Sequence, residues 1–279
     1  MVNVYVSLLG LLNAGNSTGS SRELDLIDSN SSQDAILEAL ERAHPKEALK
    51  PEETRILASL DEVLSAGVDG LHLEVIDDIF LKQHSPFNPV FTKDLLEFLR
   101  PISKDTQFPV EAHILLDDPE EYIEAYRRAG ANRITLPYSM FTDKRAIPHF
   151  MDSIKNSRMP AKAGVSFAAD AVNDTGIEFN LLTSADYISV ICSGPGNDSP
   201  PPFPGAPKAV RYFTEMKKKF GLSYELVADG GIRNYSDAKK LILAGADSLV
   251  VGSAMFRSKD YRRFVEEIRS ASSIGGEYK

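Results

Sequence analysis

The chain has 279 residues, of which 43% are hydrophobic and 25% charged, with a formal net charge of −9. That size suits one α/β domain spanning residues 1–279, and an acidic balance without dense Lys or Arg runs argues against a nucleic-acid footprint or an anionic membrane partner. The one cysteine, Cys192, excludes an intrachain disulfide; no apolar run reaches the ~18 residues of a membrane span, and the N-terminus lacks a signal peptide's basic start, so a cytoplasmic protein is expected.

Eight short apolar, β-rich runs alternate with amphipathic segments, the pattern of a parallel sheet with crossover helices. In chain order they are "VNVYVSLL" (2–9), "GLHLEV" (70–75), "FPVEAHILL" (108–116), "NRITLP" (132–137), "AKAGVSF" (161–167), "YISVIC" (187–192), "YELVAD" (224–229) and "DSLVVGS" (247–253). Eight such runs predict closure into a (β/α)8 TIM barrel. After the first run, residues 13–50 form an insertion: a Ser, Asn and Gly-rich segment over 13–33, then an extra helix in "DAILEALERA", before the first barrel helix at about 52–66. That loop would open on the C-terminal rim, either as a lid over the site or as a surface excursion without chemical consequence. "PEEYIEAYRRAGA" reads as a helix stopped by Gly130, and "SDAKKLILAGA" as one capped by Ser236 and stopped by Gly245. The phrase AGVD, AGAN or AGAD precedes three strands and reads as a recurring helix-to-strand turn rather than internal duplication. "CSGPGNDSPPPFPGAP" (192–207) is expected as a rim loop after strand six.

Side chains alternate along a strand, so His72 and Glu74 share a face, which in a closed barrel is the inside. Buried there, they need partners, and His113 at the end of run three and Asp229 at the end of run seven can provide them. Two imidazoles and two carboxylates at one mouth suit Zn2+ or a similar divalent cation. Singly, each residue has a plainer use: a strand histidine as a hydrogen-bonded core residue, and Asp229 as a turn former before Gly230 and Gly231. His44, His84 and His149 are expected on the surface. After strands seven and eight, Gly230 and Gly231, then Gly252 and Ser253, could offer backbone N–H groups to a phosphate, although close packing of helix on strand also demands glycine.

These blocks, in this order and spacing, resemble the ribulose-phosphate 3-epimerase family: "VYVSLLG", "AGVDGLHLEVID", "NPVFTKDLLEFLR", "VEAHILL", "AGANRITL", "KAGVSF", "VADGGI" and "AGADSLVVGSAMF". The resemblance covers most of the chain outside the early insertion. It implies a barrel holding one divalent metal, commonly zinc, with Fe2+, Mn2+ or Co2+ as alternatives, and acting on a pentulose phosphate such as ribulose 5-phosphate. By that resemblance His72, Glu74, His113 and Asp229 hold the metal, and Glu74 and Asp229 also exchange the proton at C3. Ser7, His113, Gly194, Gly196, Gly230, Gly231, Gly252 and Ser253 are then the substrate-contacting residues, and Asn88 closes the loop after strand two.

The chain departs from the family pattern at several of these positions. Glu74 stands where the family has Asp, and its extra methylene displaces the carboxylate by roughly 1.5 Å. Ile76 and Leu115 replace methionines, "LPYS" replaces His-Pro-Glu after strand four, "AAD" replaces Asn-Pro after strand five, and the loop after strand six lacks Gly-Gly-Gln. By the resemblance the expected reaction is a 1,1-proton transfer through an enediolate; these departures leave a non-catalytic or differently specific phosphosugar-binding barrel as the alternative. A related lyase or decarboxylase is disfavoured, because no Lys accompanies His72 or Asp229 in an Asp-x-Lys-x-x-Asp arrangement. A small sugar phosphate is the expected partner, and a homo-oligomer is left open.

Overall fold

A computed structural model describes residues 1–8, 31–45, 51–76, 93–115, 119–172, 177, 179–194 and 200–273. Eight parallel strands close on one another in sequence order, with β1 paired to both β2 and β8. The strands are β1 (Asn3–Ser7), β2 (Gly70–Ile76), β3 (Val110–Leu115), β4 (Arg133–Pro137), β5 (Lys162–Ala168), β6 (Tyr187–Ile191), β7 (Glu225–Asp229) and β8 (Ser248–Val251). The helices are α1 (Ser31–Ala43), α2 (Pro51–Ser65), α3 (Lys93–Asp105), α4 (Pro119–Ala129), α5 (Ile147–Lys155), α6 (Phe179–Ser184), α7 (Ala206–Phe220), α8 (Tyr235–Ala244), α9 (Ser253–Phe256) and α10 (Tyr261–Ser270). The expected (β/α)8 barrel is thus the fold, and α1 is the extra helix after strand one. The Ser-rich segment before α1 lies outside the described residues.

Alternation along each strand separates two cores. Outward side chains such as Val4, Val6, Leu71, Leu73, Ile114, Ile134, Val165 and Val190 join the helices in one large apolar cluster. The inside holds a small apolar cluster of Tyr5, Tyr187, Val227 and Val250. Many remaining inward positions are polar and buried: His72, Glu111, His113, Arg133, Thr135, Ser166, Ser189, Asp229 and Ser248. Burying a large aliphatic side chain contributes about 1.5–3 kcal/mol, so the outer cluster carries the stability and leaves the barrel interior free for polar groups.

The recurring phrase before the strands has a structural reason. Asp69, Asn132, Asp186 and Asp247 stand just before β2, β4, β6 and β8. Their side chains accept from the amides of Val4 (2.8 Å), Val110 (2.8 Å), Ala163 (2.8 Å) and Leu226 (2.9 Å) on or beside the preceding odd-numbered strand. Each residue's own amide donates back to the carbonyl of that same partner, at 2.7, 3.1, 2.9 and 2.8 Å. A short oxygen-bearing side chain can pin both backbone groups, which is why Asp or Asn follows the helix-ending turn.

One helix start differs from expectation. Asn234, not Ser236, caps α8: its side chain accepts from the Asp237 amide, and Ser236 falls inside the helix. The stops at Gly130 and Gly245 hold, both in the left-handed region at φ 125° and 114°. No described helix is long and apolar enough to cross a membrane.

Candidate metal and substrate site

The β2–β3 register sets His72 opposite Glu111 and Glu74 opposite His113. His72, Glu74 and His113 each bring a ligating atom within 4.8 Å of the other two. Asp229, at the end of β7, approaches from across the barrel, its Oδ2 3.6 Å from His72 Nε2. The four residues singled out in the sequence are therefore brought to one place through His72. His113 Nε2 sits 2.8 Å from Ser166 Oγ on β5, and the two imidazole rings lie tilted with centroids 5.7 Å apart.

Burial and close charges shape the ionisation of this cluster. Glu74 is half-buried, and its loss of hydration together with the Asp229 carboxylate lifts its pKa to about 7. Asp229 is raised too, chiefly by burial. Burial works against a charge on His72, but the Asp229 and Glu111 carboxylates outweigh it and hold the imidazole at about 9. His113 moves the other way, to about 3, because burial and the neighbouring His72 cation both oppose its protonation. Burial would raise Glu111, yet His72, Arg133 and the Thr135 hydroxyl together hold it at about 2.

The cluster carries unspent coordinating capacity. Both nitrogens of His72, Nδ1 of His113 and Oδ2 of Asp229 are buried without a hydrogen-bond partner. An uncompensated buried polar atom costs about 1–3 kcal/mol; one cation could satisfy three of these four, His72 Nε2, His113 Nδ1 and Asp229 Oδ2, since a single imidazole cannot turn both of its nitrogens to the same ion. Nitrogen and carboxylate donors within a few ångströms suit zinc-like ions, so these residues fit the group that the sequence led us to expect.

The other expected site residues are placed as follows. Ser7 is half-buried at the end of β1, in register with His72, and its Cβ lies 3.7 Å from where a Cβ on Gly252 would stand. Gly252 immediately precedes α9, and Ser253 is its first residue. Gly230 and Gly231 both have positive φ, 89° and 75°. A Cβ on Gly230 would lie 2.6 Å from Ser193 Oγ, and one on Gly231 would lie 2.7 Å from the Pro202 nitrogen. These glycines thus admit the loop after β6, the close packing weighed against the phosphate reading. The Gly230 amide donates to Val250 O at 3.2 Å, so it is not a free N–H, contrary to expectation, and neither glycine stands at a helix start. Gly194 follows β6 near Phe203. Gly196, Asn88, His84 and the side chain of Ile76 lie outside the described residues, whereas Leu115 is half-buried. His149 is exposed as expected, but His44 is half-buried, stacked on Phe98 at 4.1 Å with Nε2 2.9 Å from its carbonyl.

Sequence reasoning missed Glu111. It lies two residues before His113, so the alternation that joined Glu74 to His72 points it inward as well. Its Oε2 faces His72 Nδ1 at 3.5 Å, and it accepts from the Thr135 hydroxyl. Also missed was Lys144, after β4, whose ammonium donates to the carbonyls of Tyr138 (2.6 Å) and Phe141 and so closes the turn that replaces the expected His-Pro-Glu.

Comparison with known proteins places this arrangement among relatives. The chain is 29% identical over 211 residues to a ribulose-phosphate 3-epimerase of Aquifex aeolicus, covering 76% of this chain and 88% of that protein. It is 26% identical over 222 residues to the ribulose-phosphate 3-epimerase of Bacillus subtilis, covering 76% and 91% of the two chains. Among solved structures, the tryptophan synthase α subunit of Legionella pneumophila superposes with a TM-score of 0.53 at 17% identity, over 87% of this chain and 98% of that one, a likeness of fold alone. Residues 49–256 match the model of the ribulose-phosphate 3-epimerase family, from just before α2 to the end of α9. The match takes in β2 to β8 with His72, Glu74, His113 and Asp229, and on that ground the chain belongs to the ribulose-phosphate 3-epimerase family.

Proposed function

We propose that this protein epimerises a pentulose phosphate such as ribulose 5-phosphate at C3, by proton transfer through an enediolate. The observation that carries the reading is the pair of carboxylates, half-buried Glu74 and buried Asp229, brought to one barrel mouth beside His72, both raised chiefly by loss of hydration. A carboxylate raised toward neutral pH is a more effective base and, once protonated, a usable acid. One of the two removes the proton α to the ketone and the other delivers a proton to the opposite face. A divalent cation held by His72, Glu74, His113 and Asp229, zinc first with Fe2+, Mn2+ or Co2+ as substitutes, would supply positive charge to polarise the ketone and stabilise the enediolate.

Ser7, adjacent to Gly252 at the mouth, is proposed to contact the sugar, and Gly252 to help seat its phosphate. Gly231, Ser253 and the segment containing Gly194 and Gly196 are proposed to seat its phosphate, with Gly230 providing the shape of the turn. Anchoring the phosphate orients C3 toward the carboxylates. The family relationship and the ordinary reducing-compartment cysteine usage support a cytoplasmic enzyme of carbohydrate metabolism.

Incubation with ribulose 5-phosphate in deuterated water tests this directly: xylulose 5-phosphate should appear with deuterium at C3. Absence of both with metal-loaded protein rejects that substrate, and absence of exchange with other ketose phosphates rejects the enzyme. Glu74 in the place of an aspartate favours one second reading, a barrel that binds a phosphosugar without turnover. Calorimetric affinity in the absence of any exchange would select it.

A further inference from the structure

We infer that Glu111 is a positioning residue, which holds His72 with its Nδ1 proton facing inward and its Nε2 aimed at Asp229 and the mouth. The juxtaposition is specific. His72 Nδ1 and Glu111 Oε2 face each other at 3.5 Å, both are buried, and neither has any hydrogen-bond partner. The separation exceeds a hydrogen bond, but a ring tilt of a few tenths of an ångström closes it, whereas Arg133 Nε, on the other side of Glu111 Oε2, stands farther off at 3.8 Å. A metal-ligating imidazole ordinarily gives its second N–H to a carboxylate or carbonyl, which fixes both tautomer and ring direction.

Glu111 is itself held. Its Oε1 accepts from Thr135, whose single proton is thereby used, so that Thr135 in turn accepts from the Tyr187 hydroxyl 2.9 Å away. On the other side Arg133 Nε lies 3.8 Å from Glu111 Oε2, while Arg133 Nη1 donates to Glu225 at 2.8 Å. The guanidinium is enclosed between the rings of Tyr5 and Tyr187, 5.0 and 3.9 Å from their centroids. Signs alternate along the row from Glu225 through Arg133, Glu111 and His72 to Asp229. Each charge in it is compensated by its neighbours, and the row runs from the start of β7 on one rim to its end on the other. Shifting Glu111 would release the imidazole that joins Asp229 to Glu74 and His113. The proposal rests on the metal reading above for its consequence, but not for its geometry.

The test uses full-length protein with ¹⁵N-labelled histidine, with and without Zn2+, and His72→Gln to assign the resonance. A slowly exchanging Nδ1–H signal is expected for His72 in both forms. In Glu111→Gln that signal should vanish or move, and Zn2+ affinity, measured by chelator competition, should fall about 10–100-fold. Glu225→Gln disturbs the same interior row but not the imidazole, and should leave both readouts unchanged. An unprotonated Nδ1 in the unmutated protein overturns the proposal even if Glu111→Gln does not fold. Unchanged affinity and signal in Glu111→Gln, or an equal loss in Glu225→Gln, overturns it as well. If the unmutated protein binds no Zn2+, the metal reading fails, while the Nδ1–H signal of the metal-free form still decides the role of Glu111.

Discussion

Raising the pH of the metal-free protein from 6.5 to 9 should destabilise it, and the group responsible is His72. Its folded-state pKa is about 9 against an ordinary 6.5, so the folded protein binds the proton more tightly than the unfolded chain. The resulting stability is fully present below 6.5 and is lost as pH rises through 9; the shift corresponds to about 3 kcal/mol. Other groups of the cluster do not mask the effect. Glu74, raised from 4.5 to about 7, loses stability with rising pH and so slopes the same way up to 7. His113, lowered from 6.5 to about 3, has given up its stabilising contribution only below 6.5, and Glu111, lowered from 4.5 to about 2, acts only below 4.5. The chain has no tryptophan, so unfolding is best followed by far-UV circular dichroism. For a domain of this size about 3 kcal/mol lowers Tm by roughly 5 °C. Zn2+ should abolish the decline, because metal binding takes the place of the His72 proton and is favoured by its loss. A metal-free Tm that is level or higher at pH 9, or an undiminished decline in His72→Gln, would refute the reasoning.

Glu74→Asp retracts the carboxylate by about 1.5 Å from the position where it meets His72 and His113, and the rate of C3 exchange should fall about 100-fold; unchanged exchange would show that the site is not built to the length of glutamate. Gly164→Ala puts a Cβ 2.2 Å from the Tyr187 ring, which is fully buried and stacked on Arg133. Overpacking of this kind should cost about 1–3 kcal/mol in urea unfolding, and a change within a few tenths would mean that the ring can retreat. Asp247→Ala removes the acceptor of the Leu226 amide and the partner of Lys217, and should lower stability by about 1–2 kcal/mol while leaving KM unaltered. A changed KM would connect that rim to the site.

The strands were legible because each is a short apolar run between turn residues: "GLHLEV" becomes Gly70–Ile76 and "YELVAD" contains Glu225–Asp229. Turn phrases were legible as turns, but the reciprocal bonds of Asp69 or Asn132 join segments that only the closed barrel makes adjacent. The polar interior was harder to read. Arg133 and Glu225 sit at strand starts, where a charged residue reads as a solvated turn, and their pairing spans 92 positions. Glu111 carries the same signal as Glu74, an acid sharing a strand face with a histidine, but it sits near the start of β3, away from the strand ends where barrel chemistry is expected. At α8 both Asn234 and Ser236 are competent caps; Asn234 accepts from the Asp237 amide while the buried Asp237 carboxylate accepts from the Arg233 amide and guanidinium, a pair of bonds that only a start at Asn234 allows.

The four Asp and Asn pins divide the cylinder into staves, each a pair of strands fastened at its foot: β1 with β2, β3 with β4, β5 with β6, and β7 with β8. A nick in the turn that follows α5 would leave two fragments, β1–β4 and β5–β8, with every one of these fastenings inside a single fragment. Three of the four proposed metal ligands, His72, Glu74 and His113, would go with one half and Asp229 with the other. An ion held as proposed would then act as a buckle across halves otherwise joined by the β4–β5 and β8–β1 ladders, at the end of the cylinder farthest from the pins.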